Sequence, residues 1–201
     1  PRLDRIIVRL FKDSGSLLLA FERGEVDVHQ AVTDPRELAR VRKMPGVQVV
    51  KGAAPAIGPI IWLAFNTKNP KLADKRVRQA INFAIDKKFI LETILGGINN
   101  RATGPLAGGS PYYSGEVEKY DLNLARATKL LDEAGLKPGA NGVRLTLDID
   151  AIPGNADLKT IQEYLKPTLA KVGIEVNIRQ SPDFPSWARR VSSQQFEMTL
   201  D

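Results

Sequence analysis

The chain is predicted to be an α/β protein with a mixed, mostly parallel sheet flanked by helices. Helical and extended patterns alternate along its whole length. In the last third, Val143, Leu145, Leu147 and Ile149 alternate with polar residues, as do Ile174, Val176 and Ile178. Between them, Leu158, Ile161, Leu165, Leu169 and Val172 fall on one helical stripe, so the segment is a βαβ unit with an expected right-handed crossover. A hydrophobic content of 43% with 26% charged residues supplies a core and argues against disorder. The 201 residues fit one domain or a large piece of one.

From the start, Ile6 to Leu10 reads as a strand, and either Asp13 or Ser14 can cap a helix through Leu17, Leu18 and Phe21 that Gly24 closes. Val26-Asp27-Val28 reads as a short strand. Thr33-Asp34-Pro35 opens a helix, with a capping side chain followed by proline where no N–H is needed. Pro45-Gly46 turns the chain into a strand at Val47–Val50, and a buried strand is expected from Ile60 to Phe65. Asp74 caps a helix whose stripe is Val77, Ala80, Ile81, Ala84 and Ile85. Asp86 caps the next, with Ile90, Leu91, Ile94 and Leu95 inward, until Gly96-Gly97. Asn99 to Gly115 is a Gly/Pro/Ser-rich loop, long enough to suggest a function. Asp121 is expected to start a helix through Ala125, Leu130 and Leu131. Pro167, inside the crossover helix, should kink it or remove a hydrogen bond. A last strand runs from Phe196 to Leu200.

The chemistry the sequence offers is sparse. With no cysteine there are neither disulfides nor thiolate metal sites. His29 is the single histidine, and no G-x-S-x-G elbow, H-E-x-x-H or EF-hand loop occurs, so neither a triad nor a metal site is expected. "LGGINNRATGPLAGG" matches no phosphate-binding glycine motif. Glu116 and Glu118 read as solvated loop charge. A net charge of +6 and a pI near 9.6 raise nucleic acid as a partner, through Lys75, Arg76, Arg78, Lys87 and Lys88, or Arg36, Arg40, Arg42 and Lys43. Acidic residues are interleaved with both clusters and aromatics are 6%, so solvated helix faces are the plainer reading. Tyr112-Tyr113 sits in the long loop, where an apolar face with a polar tip suits a small-molecule cleft. Trp62 and Phe65 fall in an apolar strand, where core packing is the ordinary role. Tyr112, Tyr113, Asn66 and Trp62 are the candidate ligand contacts.

"FNTKNPKLADKRVRQAINFAIDKKFI" (65–90) resembles the central signature of the family 5 extracellular solute-binding proteins. The resemblance lies in Phe65-Asn66, Pro70, Asp74, Arg76-Val77-Arg78, Ala80-Ile81 and Ala84-Ile85-Asp86. Gly24-Glu25-Val26-Asp27, "YDLNLARATKLLDEAGL" and "LAKVGIEVNI" are similar to other family segments in the same order. The resemblance implies a periplasmic-binding-protein type II-like lobe, with residues 1–201 forming one ligand-facing lobe of a larger two-lobed clamp. It implies binding and not catalysis, without a cofactor. Oligopeptides or dipeptides would be delivered to ABC permease subunits by an extracytoplasmic, monomeric protein whose signal peptide lies upstream. Relatives with the same framework carry nickel chelates, opines or sugars. In peptide-binding relatives the group that grips the ammonium follows the strand matching Phe196–Leu200, so Asp201 is not assigned that role.

Overall fold

In a computed structural model, residues 2–29, 35–50, 60–97 and 99–201 are described. They fall into two compact units, residues 1–51 and 52–201. The described residues of the first unit carry two helices. Of the two capping candidates it is Asp13 that accepts the Ser16 amide, at 2.8 Å, and starts α1 (Ser14–Glu22). Gly24, at φ +70°, ends it: its own N–H donates to Phe21 O and the Glu25 N–H to Ala20 O, the paired bonds of a Schellman stop. The second helix, α2 (Pro35–Val41), begins at the predicted proline, while the capping roles of Thr33 and Asp34 lie outside the described residues. Arg40 on α2 grips Glu22 on α1 at 2.5 Å.

Three expected strands are corrected here. Ile6–Leu10, Val26–Val28 and Val47–Val50 carry no ladder. Ile6 is 76% exposed and Leu10 94% exposed. Alternation gives a segment two faces, but only a neighbour's hydrogen bonds make it a strand, and the described residues supply none.

The second unit holds a four-stranded sheet: β1 (Leu63–Phe65), β2 (Leu145–Ala151), β3 (Ile174–Ile178) and β4 (Met198–Leu200), in the order β1-β4-β2-β3. β2 lies parallel to both β3 and β4, and β1 runs antiparallel to β4. The sheet is therefore mixed and mostly parallel, as expected. The predicted strand at 60–65 is shorter and half-buried because it forms an edge of the sheet. Leu147, Ile149, Ile174, Val176, Met198 and Leu200 point into one core. The opposite face is polar: Asp148, Asp150, Asn177, Glu197 and Thr199 stand there.

Helices cover the apolar face. Asn69 caps α3 (Pro70–Ala73) and Asp74 caps α4 (Lys75–Ala84). The α4 stripe is buried as read from its spacing, with Phe83 added. Asp86 caps the short α5 (Lys87–Phe89), which widens into a π-helical turn at Ile90–Ile94. The next helix, α6 (Leu124–Glu133), is capped by Asn123 and not Asp121, which instead pairs with Arg101. The crossover helix α7 (Ala156–Ala170) buries Leu158, Ile161, Leu165 and Leu169 against the sheet and carries Pro167 without ending. On the polar face, α8 (Phe184–Ser192) buries Trp187, whose indole N–H donates to the Thr199 hydroxyl at 3.0 Å.

Arg76, Arg78 and Lys87 of the 65–90 stretch are each held by groups of the chain. Arg76 holds Asp74 at 2.5 Å, and the Asp74 carboxyl falls to about 2, first through that hydrogen bond. Arg78 donates to the carbonyls of Leu72 and Ala73, the exposed end of α3. Lys87 donates to Asn82 O at 2.7 Å and Tyr120 O at 2.9 Å. Burial lowers the Lys87 amine from 10.5 to about 8, helped by nearby Arg101 and opposed by Asp121 and Asp86. The folded state thus binds fewer protons than the unfolded chain between those values. Stability is expected to rise with pH across that window, and Lys87→Met to flatten the rise; urea midpoints at several pH values measure both.

Candidate functional site

The sheet topology defines one edge. β2, β3 and β4 are parallel, so their carboxyl ends at Ala151, Ile178 and Leu200 reach the same side. Because β1 is antiparallel, its amino end brings Trp62 there too. In open α/β sheets ligands bind outside the carboxyl ends of the strands. At this edge Trp62 and Asp201 exchange backbone hydrogen bonds, 3.0 and 3.3 Å, and the Ile152 N–H donates to Leu200 O at 3.1 Å. The Trp62 residue is 48% exposed, so it lies at the edge and outside the core that its apolar strand suggested. Burial pushes the Asp201 carboxyl above its ordinary value, and its Oδ1 has no hydrogen-bond partner among the described residues.

Asn66 lies at the other end of β1, about 13 Å along the strand at 3.3 Å per residue. Its amide is fully engaged. Nδ2 donates to Gln194 O and Phe196 O, both at 2.9 Å, and Oδ1 accepts the Lys68 N–H at 3.1 Å. Asn66 thus clasps the turn that feeds β4, where Gln194 sits at φ +59°. Beside it Glu197 completes the clasp. Its carboxylate takes Lys71 Nζ at 2.8 Å, Asn69 Nδ2 at 3.0 Å and the Asp148 N–H at 2.7 Å. Burial alone would raise Glu197, but these three donors outweigh it and hold the carboxyl below its usual range. An open polar depression of about 450 Å³ lies against these residues, and Asn66, Asn69 and Glu197 in its wall are already paired.

Tyr112 and Tyr113 belong to the long loop. Tyr112 is 83% exposed. The Tyr113 hydroxyl is 2.8 Å from Thr103 Oγ1. The structure therefore separates the four candidates: Trp62 at the carboxyl edge, Asn66 at the opposite end, and the tyrosines on the loop. Reading the residues one by one missed Asp150, which is fully buried on β2 and held by Arg190 and, at 2.6 Å, by Arg179. Its only sequence signal was a charge at a strand position flanked by core residues. His29 packs its ring edge-on to Phe21, centroids 5.9 Å apart. Among the described residues no group of three or more His, Cys, Asp or Glu could hold a metal ion. No helix among them is long and apolar enough to cross a membrane.

A mixed α/β architecture with an open sheet flanked by helices defines the class: a type II periplasmic-binding-protein fold. The chain belongs to the bacterial extracellular solute-binding proteins, family 5 (Middle), which matches residues 1–201. It is 28% identical to heme-binding protein A of Haemophilus influenzae, over 87% of this chain and 31% of that protein. It is 24% identical to the dipeptide-binding protein of Escherichia coli, over 89% of this chain and 32% of that one. The crystal structure of NikA from Brucella suis in complex with Fe(III)-EDTA superposes with a TM-score of 0.83 at 29% identity, covering 96% of this chain and 40% of that one. The chain spans about a third of the length of these curated relatives.

Proposed function

We propose that residues 1–201 are one ligand-facing lobe of an extracytoplasmic solute-binding protein that serves an ABC importer, and that its solute is a short peptide. The observation that carries this reading is the family match along the whole chain. The carboxyl edge supports it: an exposed indole at Trp62 offers an apolar platform there. In this reading the solute bridges two lobes, closes the hinge and presents the closed form to membrane permease subunits; the work is binding and not catalysis. The intact protein acts as a monomer. Trp62, Tyr112 and Tyr113 are the proposed solute contacts, while Asn66 is proposed to act through the turn it clasps.

A second reading keeps the framework and changes the cargo, because relatives include a heme-binding protein and a nickel-binding periplasmic protein. A thermal-shift screen of the full-length protein against di- and tripeptides, hemin, nickel with histidine, and sugars separates the two. A ligand that binds only the folded state raises the apparent midpoint by mass action. Peptides are expected to raise it. A shift with hemin or the nickel chelate and none with peptides would overturn the peptide assignment.

A further inference from the structure

Residues 99–123 contain no helix or strand, yet they are tied at two levels. At the base, Arg101 pairs with Asp121 across the loop, and Lys87 holds the Tyr120 carbonyl. Tyr120, at φ +45°, sets its ring 5.0 Å from Phe83, and Gln79 Nε2 lies 3.3 Å from its hydroxyl. At the neck, the Thr103 hydroxyl meets Tyr113 OH at 2.8 Å and Ser114 O at 3.4 Å. Beyond the neck two tight turns, Ser110 N–H to Ala107 O and Tyr113 N–H to Ser110 O, fold the tip that carries Tyr112.

The root of this arm lies between the end of α4 and the start of α6. The chain leaves β1 through α3, whose Lys71 reaches Thr146 O near the amino end of β2, and continues into α4. The Asn123 N–H, at the start of α6, donates to Phe83 O at the end of α4, 2.8 Å. Arg76 at the start of α4 donates to Glu133 O at the end of α6, 2.6 Å, so the two helices are antiparallel. The end of α6 leads through Leu136, whose carbonyl holds Arg144, into the amino end of β2. The opposite ends of α4 and α6, where the arm is rooted, lie about 15 Å further along the two ten-residue helices, at 1.5 Å per residue.

We propose that Thr103 and Arg101 are positioning residues for the solute site: they hold the arm so that Tyr112 meets the bound solute already ordered. This rests on the solute-binding reading above. Ordering a side chain or loop at an interface weakens binding, and a braced arm avoids that loss. An unbraced glycine-rich loop would leave Tyr112 among many conformers.

The test uses the full-length protein. Thr103→Val removes the hydroxyl at nearly constant shape, and Thr103→Ser restores it. Without solute, chymotryptic cleavage after Tyr112 is expected to run about tenfold faster in Thr103→Val and at the parent rate in Thr103→Ser, because cleavage follows the population of opened loop. An unchanged rate in Thr103→Val overturns the brace. With trialanine as the probe, Thr103→Val is expected to weaken binding about fivefold when Tyr112 is present and not at all in a Tyr112→Ala background. Equal loss in both backgrounds, or loss in neither, overturns the positioning role. A parent protein that does not bind trialanine contradicts the peptide reading and removes the positioning role with it; the cleavage comparison then still decides the brace.

Discussion

Arg190→Met is expected to cost about 3 kcal/mol of folding stability, because it strips a partner from a fully buried carboxylate. Asp150 stands on the central strand β2, opposite Thr199 of β4, beneath α8. Arg190 reaches it from α8, and Arg179 reaches it from just past β3 while also donating to Gln195 O at 3.0 Å. One carboxylate thus joins two strands, a helix and the turn before β4. Methionine keeps much of the arginine stem's apolar packing and removes the charge together with its N–H donors, so the loss reports the uncompensated Asp150. Asp150→Ala in the Arg190→Met background is expected to cost less than the sum of the two single changes. Equilibrium urea unfolding of all three variants measures it. A loss well under 1 kcal/mol in Arg190→Met would mean that Arg179 alone satisfies the carboxylate.

Gly173→Ala is the other large effect, about 3 kcal/mol, through a conformation that only glycine adopts cheaply and a collision it would create. Gly173 sits at φ +80° between α7 and β3. An added Cβ would stand 2.8 Å from Gly142 O and 2.9 Å from Arg144 Cγ. The collision falls where the sheet begins: Gly173 O accepts the Arg144 N–H at 2.7 Å, one residue before β2. Calorimetry is expected to show a midpoint lower by about 9 °C, at roughly 3 °C per kcal/mol for a domain of this size. Gly104→Ala is the control, since its Cβ meets no atom within 4 Å and its backbone is not left-handed. A drop in Gly104→Ala as large as in Gly173→Ala would contradict this account.

What was legible in the sequence was whatever is decided within one turn of chain. Asp13, Asp74 and Asp86 cap helices because a capping carboxylate needs only the amides two or three residues ahead. The stripe at Val77, Ala80, Ile81, Ala84 and Ile85 was legible for the same reason, and so was the strand–helix–strand unit of the last third. The α6 start was misread because Asp121 and Asn123 both have capping chemistry. Only the contact with Arg101, 20 residues away, shows which of them is free to cap. The strands expected at Ile6–Leu10 and Val47–Val50 have the right alternation, but no local signal says whether a partner lies alongside.

The site was less legible still. Trp62 and Asn66 are four residues apart and look like neighbours, yet the antiparallel run of β1 sends them to opposite ends of the sheet. Which of them stands at the carboxyl edge depends on strand order, which pairs residues more than 130 positions apart. The brace at Thr103 and Tyr113 spans ten residues of irregular chain that no periodicity describes.

The carboxyl edge marked by Trp62 is proposed to face the solute. Titration calorimetry of the full-length protein with trialanine, in the parent and in Trp62→Ala, tests it most directly. Because Trp62 is half exposed and lies outside the core, the account predicts binding weakened about tenfold or more, with the unfolding midpoint within about 2 °C of the parent. Unchanged affinity in Trp62→Ala would contradict it.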